Sequence, residues 1–258
     1  MFPSLGKLHP NDIKPSDVLA TIRKIEARGA FETASKILQR VNAVFGYGIV
    51  TGWTDNNPAS NINKALEKYT PSEFSYIPFK DMPSFMAKLD NYGGEPITKL
   101  GLKLLIHTFL RSGEVRHGKW SEIEWQDRLW RIPAHRMKSR REHLVPLTDA
   151  SLNILHEIHK YTGNCELILP SRNKAYLPMS ENTFCSVIKR LGYKATAHGF
   201  RKTASTTLNE HGFNSDHIEL QLAHVPSNKV RHAYNKAQYL QERREMMDFW
   251  SQTLISTN

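Results

Sequence analysis

The segment Thr70 to Ser84, TPSEFSYIPFKDMPS, does most to limit what this chain can become. It carries three prolines and no helical period. Each proline lacks an amide donor and has a fixed φ, so the segment cannot run through the middle of a helix or a central strand. It therefore reads as a linker that divides the sequence into two parts, each of which must build its own core. A boundary near Ser75 gives a helical unit over residues 1–74 and a larger unit over residues 75–258.

In the first unit, Val18, Leu19, Ile22 and Ile25, then Ala34, Ile37, Leu38, Val41, Val44 and Phe45, recur at helical spacing with a break at Gly29. This pattern predicts two amphipathic helices between Ser16 and about Tyr47, with Ser16 and Thr33 as N-caps. Ala65 to Lys68 closes the unit. In the second, Phe85–Leu89 and the almost wholly apolar Leu100–Leu110 read as helices, the latter buried. One β region follows: Glu122–Trp125, Leu129–Ile132 and Leu144–Leu147, with a Gln-Asp turn and a charged stretch between them. Further helices are expected at Asp149–Lys160, Glu181–Leu191, Thr203–His211, Ser215–Leu222 and Ala237–Leu254. The last sets Leu240, Met247, Trp250 and Leu254 on one face, suited either to a neighbouring protomer or to its own domain. The fold class is mainly α with a small antiparallel β-sheet.

A formal charge of +10 and a pI near 9.6 point to a polyanionic partner. Two cysteines, Cys165 and Cys185, are too few for a disulfide framework, and their spacing does not suit zinc. The start of the chain has no signal pattern and no apolar run approaches the roughly 18 residues of a membrane span. The expectation is a soluble, cytoplasmic protein.

Four short elements could carry chemistry. In TFLRSGEVR, an apolar helix delivers Arg111 to a turn; a guanidinium there presents a planar fork that matches two phosphate oxygens, and Glu114 could hold neighbouring groups in place. The ordinary alternative is an arginine neutralising the carbonyl end of its own helix. In AHGFR, His198 and Arg201 stand three apart where a helix begins and can face one way. LAHV places His224 ten residues before Tyr234, in a basic stretch where a tyrosine is ordinarily an amphipathic rim residue. RMKSRR sets Lys138 in a charged turn between strands. No carboxylate pair is in evidence to hold a metal.

Taken together, RSGE around Arg111, RMKSRREHLVPL around Lys138, AHGFRKTAST around His198 and Arg201, LAH at His224 and VRHAYNKAQYL around Tyr234 resemble the tyrosine recombinase, or phage integrase, family, in its order and at comparable separations. The likeness is closest to prophage-type integrases of genomic islands. It extends to the tail ERREMMDFW and to a helical core-binding domain over about Lys7–Leu66. Two departures stand out. Nothing here corresponds to the small arm-binding domain with which such integrases usually begin, which suggests a shortened gene product or a piece of one. Ser112 also follows Arg111 where proline is frequent.

The resemblance implies a site-specific recombinase acting in integration or excision of a mobile element. Tyr234 would attack a DNA phosphate to give a 3′-phosphotyrosyl link; a free phenol has a pKa of about 10, so a cationic field or a base must help. Arg111 and Arg201 would cradle the phosphate oxygens. Lys138 would protonate the leaving 5′ oxygen, and His198 and His224 would bind phosphate or move protons, with their roles interchangeable at this stage. No nucleotide cofactor is required, since one phosphodiester replaces another of similar energy, and no metal is expected, since two arginines can substitute for one electrostatically. The partners implied are double-stranded attachment-site DNA, a homotetramer on two duplexes that is monomeric or weakly associated without DNA, accessory DNA-bending proteins, and no membrane. DNA contacts are expected from Lys36 and Arg40 on the first unit, and from Arg140, Arg141, Lys202 and Lys229 on the second. Two rivals remain: a topoisomerase-like nicking and resealing enzyme, and a DNA-binding regulator or excision factor that keeps the fold without cutting.

Overall fold

A computed structural model describes residues 2–67, 75–224 and 238–256. The chain forms two compact units, residues 1–73 and 74–258.

The first unit is helical: α1 (Phe2–Leu5), α2 (Pro15–Glu26), α3 (Phe31–Val50) and a 3-10 turn at Ile62–Ala65. Its core joins Val18, Ile22 and Ile25 of α2 to Ala34, Leu38, Val41 and Phe45 of α3, as the spacing requires. Val44 is exposed, because the positions that face α2 are Val41 and Phe45. The expected caps are displaced. Lys14 is the N-cap of α2, where its backbone amide donates to Asp17 Oδ2 at 2.9 Å, while Ser16 lies inside the helix after Pro15. Ala30, not Thr33, begins α3.

The second unit is mixed. α4 (Met82–Asp90), α5 (Pro96–Thr108) and α6 (Ser112–Arg116) come first. An antiparallel sheet follows in the order β1 (Ile123–Glu124), β2 (Leu129–Ile132), β3 (His143–Pro146), with Trp130 opposite Val145 and Ile132 opposite His143. The helices α7 (Asp149–Thr162), α8 (Thr183–Arg190), α9 (Gly199–Glu210), α10 (Ser215–Gln221) and α11 (Leu240–Ser256) complete it. The mainly α class with a small sheet is as the sequence predicts.

Several boundaries differ, and three of them bear on the site. Helix α5 stops at Thr108 because Phe109 takes a left-handed conformation, φ 56°. Helix α9 begins at Gly199, four residues before the expected start, so His198 is its N-cap. Strand β3 begins one residue early, which brings His143 into the ladder.

Helix α5 is buried as its composition demands, with Leu102, Leu104, Leu105 and Ile106 at most 1% exposed, and it packs against α7 and α11. The apolar face of α11 is spent inside its own unit. Met246, Met247, Trp250 and Leu254 are at most 1% exposed, and Trp250 Nε1 donates to the Ile106 carbonyl at 3.0 Å. Gly199 allows the incoming chain to lie on the start of α9: a Cβ there would stand 2.6 Å from the Ser75 carbonyl oxygen and 2.9 Å from Tyr76 Cα. Thr203 Oγ1 donates to the Ile77 carbonyl at 2.6 Å beside it. No helix among the described residues is long and apolar enough to cross a membrane.

Candidate active site

The left-handed turn at Phe109 ends α5 and redirects the chain, so Arg111 is the N-cap of α6 rather than the tail of α5. Glu114, 6% exposed in its side chain, fixes it twice: Oε2 accepts from the Arg111 backbone amide at 2.8 Å, and Oε1 from Arg111 Nη1 at 2.7 Å. The other terminal nitrogen, Nη2, reaches the Ala223 carbonyl at 3.4 Å.

Arg201 sits in the first turn of α9 and is 3% exposed. Its Nη1 donates to the Phe109 carbonyl and its Nη2 to the Leu222 carbonyl. The adjacent carbonyls of Leu222 and Ala223 thus receive Arg201 and Arg111 respectively, just beyond α10, where Ala223 is left-handed at φ 49°. The two guanidiniums are held side by side on one piece of main chain. Burial first, and then the Arg111 charge, push the pKa of Arg201 down to about 10, while Glu114 and Glu219 act the other way. Arg201 Nε is buried without a partner.

His224 follows directly. Its Nε2 lies 3.3 Å from Arg201 Nη2, and its Nδ1 lies 2.7 Å from Glu219 Oε2. A guanidinium can only donate, so Nε2 accepts and Nδ1 carries the proton toward Glu219. His198 is exposed at the N-cap of α9. Its pKa is lowered by partial burial and by the Arg201, Arg111 and His224 charges, which sets it in the same electrostatic cluster. Arg111, Glu114, His198, Arg201 and His224 are therefore brought together.

Lys138 is not brought into this cluster. It is exposed on the β2–β3 loop and makes no hydrogen bond or ion pair among the described residues. The base of its loop is fixed nonetheless: Arg136 Nη1 donates to both oxygens of buried Glu122 at 3.0 and 2.7 Å, and its Nη2 to the Glu114 carbonyl at 2.6 Å. Tyr234 and Lys229 lie outside the described residues.

Of the expected DNA contacts, Arg140 and Arg141 are exposed on the same loop, Arg140 with φ 55°. Lys202 Nζ lies 4.5 Å from the centre of the Tyr76 ring. In the first unit, Lys36 and Arg40 are exposed on α3, and Lys36 pairs with Glu32 one turn away. Among the described residues, no group of three or more His, Cys, Asp or Glu side chains could hold a metal ion.

Several residues of this region do not stand out in the sequence. Glu219 lies five residues before His224, a spacing that a helix ending between them would make adjacent. His143, 5% exposed on β3, has its pKa pushed down to about 3 by burial and then by Arg243, with Arg201 and Arg111 adding to the effect. Its Nε2 is buried without a partner. Arg243 has a visible signal, since a charged residue occupies the apolar stripe of Met247, Trp250 and Leu254 at helical spacing.

Two arginines, one buried and the other secured by a carboxylate, thus stand with imidazoles beside them and the sheet hairpin alongside. The phage integrase family model matches residues 75–241, and the phage integrase central domain model matches residues 1–65. The integrase of Shigella phage Sf6 and the prophage integrase IntS of Escherichia coli K12 are each 38% identical over 257 residues, covering 98% of this chain and 67% of the relative. Prophage integrase IntA of the same strain is 38% identical over 253 residues, 97% of this chain and 61% of its own length. Among solved structures, a lambda integrase (75-356) dimer bound to a COC′ core site superposes with a TM-score of 0.68 at 16% identity, covering 93% of this chain and 83% of that one. A lambda integrase tetramer bound to a Holliday junction gives 0.65 at 18% identity, over 85% and 66% of the two chains. The chain belongs to the phage integrase family, the tyrosine-type site-specific recombinases that integrate and excise mobile DNA.

Proposed function

We propose that Tyr234 is the nucleophile of this chain and that Arg111 and Arg201 bind the scissile DNA phosphate. The anchoring of both guanidiniums on the neighbouring carbonyls of Leu222 and Ala223 carries this reading. A fork held in place before substrate arrives spends no reorganisation when charge builds on the non-bridging oxygens. The Tyr234 oxygen forms a bond to phosphorus as the bond to the 5′ oxygen breaks, and the leaving oxygen takes a proton. Lys138 is the donor, brought in by closure of its loop on DNA. The phenolic proton leaves toward the histidine cluster. His224, with Nδ1 bound to Glu219, uses Nε2 on the phosphate side, and His198 supports it. Rejoining reverses these steps with a 5′ hydroxyl from another duplex.

The substrate is double-stranded attachment-site DNA, carried over from the core-site DNA of the lambda integrase neighbours. The assembly is a homotetramer on two duplexes, by analogy with the tetramer on a Holliday junction, and accessory DNA-bending proteins assist it. Residues 1–74 form the helical core-type DNA-binding domain and residues 75–258 the catalytic domain. Lys36, Arg40, Arg140, Arg141, Lys202 and Lys229 contact the DNA backbone.

The test is a nicked suicide duplex that traps the covalent intermediate. Wild-type protein is expected to form a covalent adduct, and Tyr234→Phe to bind the duplex without forming one. Adduct formation by Tyr234→Phe would refute the assignment of the nucleophile; binding without an adduct by the wild type would favour the non-cutting regulator.

A further inference from the structure

Arg243, on α11, is fully buried at 0% exposure and has no carboxylate partner among the described residues. An unpaired cation in a core is costly, and a methionine would cover the same apolar stripe without that cost. Its hydrogen bonds indicate what the charge is kept for. Nε and Nη2 donate to Gln221 Oε1 at 3.1 and 2.6 Å, Nη2 also to the Leu144 carbonyl at 2.6 Å, and Nη1 to the Gln238 carbonyl at 3.2 Å.

These acceptors come from three parts of the chain that the reaction must keep in register. Gln221 ends α10, immediately before the two carbonyls that anchor the arginines, and its Nε2 donates to the Thr108 carbonyl at the end of α5, 3.0 Å away. Leu144 is in β3, on the hairpin that bears Lys138, next to His143. Gln238 stands four residues beyond Tyr234 in sequence, at most about 14 Å of extended chain. A planar fork with donors in several fixed directions can hold all three together; a point charge cannot.

We propose that Arg243 is a positioning residue for strand cleavage. It fixes Gln238, four residues beyond Tyr234 in sequence, relative to the arginine anchors and the Lys138 hairpin. The inference rests on the reading of Tyr234 as nucleophile. Its side chain is fully buried and all its donor nitrogens are spent inside the protein, so its influence falls on the rate of the bond-making step and not on affinity.

The experiment compares wild type, Arg243→Met, Arg243→Lys and Tyr234→Phe on the nicked suicide duplex at saturating DNA. Duplex affinity, final adduct amplitude and first-order adduct rate are recorded. The Met variant is expected to keep its affinity and amplitude while its rate falls on the order of 10²-fold, the scale of a small misplacement of reacting groups. The Lys variant is expected to recover part of that rate. A Met rate within about threefold of wild type would overturn the proposal. So would a fall in amplitude and affinity with an unchanged rate for the molecules that react, because Arg243 would then only support folding. If the Met variant does not fold, the Lys variant decides by the same criteria. Absence of adduct in the wild type would overturn the Tyr234 reading and this inference with it, whereas a Tyr234-dependent adduct unaffected by Arg243→Met would overturn this inference alone.

Discussion

Arg201→Lys separates the charge of the buried arginine from its shape. In the wild type, the two terminal nitrogens of Arg201 serve the carbonyls of Phe109 and Leu222 and face His224 Nε2. Lysine keeps the positive charge but offers one nitrogen at the end of a flexible stem, which cannot span two carbonyls from different elements. At least one buried carbonyl then loses its donor, at a cost of about 1–3 kcal/mol of stability. With Arg201 binding the phosphate as proposed, its donor is also displaced, and losing one preorganised donor raises a barrier by about 3–4 kcal/mol, or about 10²- to 10³-fold in rate. DNA affinity and its salt dependence should scarcely change, because the charge is retained. Urea denaturation measures the first effect, single-turnover adduct formation on the suicide duplex the second, and titration at two salt concentrations the third. Adduct formation by the lysine variant at the wild-type rate would refute the argument, because charge alone would then suffice.

Acid should weaken the fold through two buried histidines. Burial and nearby cations hold His107 at about 4 and His143 at about 3, below the ordinary 6.5, so between those values and 6.5 the unfolded chain binds protons that the folded one does not. Stability is expected to be level near pH 7 and to fall by about 1.4 kcal/mol per pH unit for each histidine as the pH drops from about 6 to 4. His107→Gln should shallow that slope in urea denaturation at pH 7, 6 and 5, and an unaltered slope would count against the assignment. Gly199→Ala should cost about 1–3 kcal/mol, since its methyl meets backbone at Ser75 and Tyr76. Gly113→Ala, with open space at its Cβ, should be neutral or stabilising, and a larger loss of Tm at Gly113 than at Gly199 would contradict the packing described.

The fold was legible where periodicity and backbone chemistry act locally. The apolar run at Leu100–Leu110 could only be a buried helix, and the alternation at Leu129–Ile132 gave the central strand. End positions were less visible, because they depend on single bonds: Asp17 reaching back to the Lys14 amide moved a cap that Ser16 seemed made for. Arg111, Glu114, His198, Arg201 and His224 were conspicuous as short polar motifs. Arg243 shows only as a charge on an apolar stripe, and neither it nor Gln221 reveals its partners, which lie 22 and 113 residues away until folding brings them near. His143 escaped because its place on the buried face depended on a strand beginning one residue early.

The arginine anchors at Phe109, Leu222 and Ala223 are main-chain oxygens, which every amino acid supplies. Evolution can therefore rewrite the letters at those places without disturbing the grip, provided the new residue accepts the backbone twist. A single inserted or deleted residue is another matter, because it would shift the oxygens out of reach. Alignment gaps should accordingly be rarer than substitutions along this stretch.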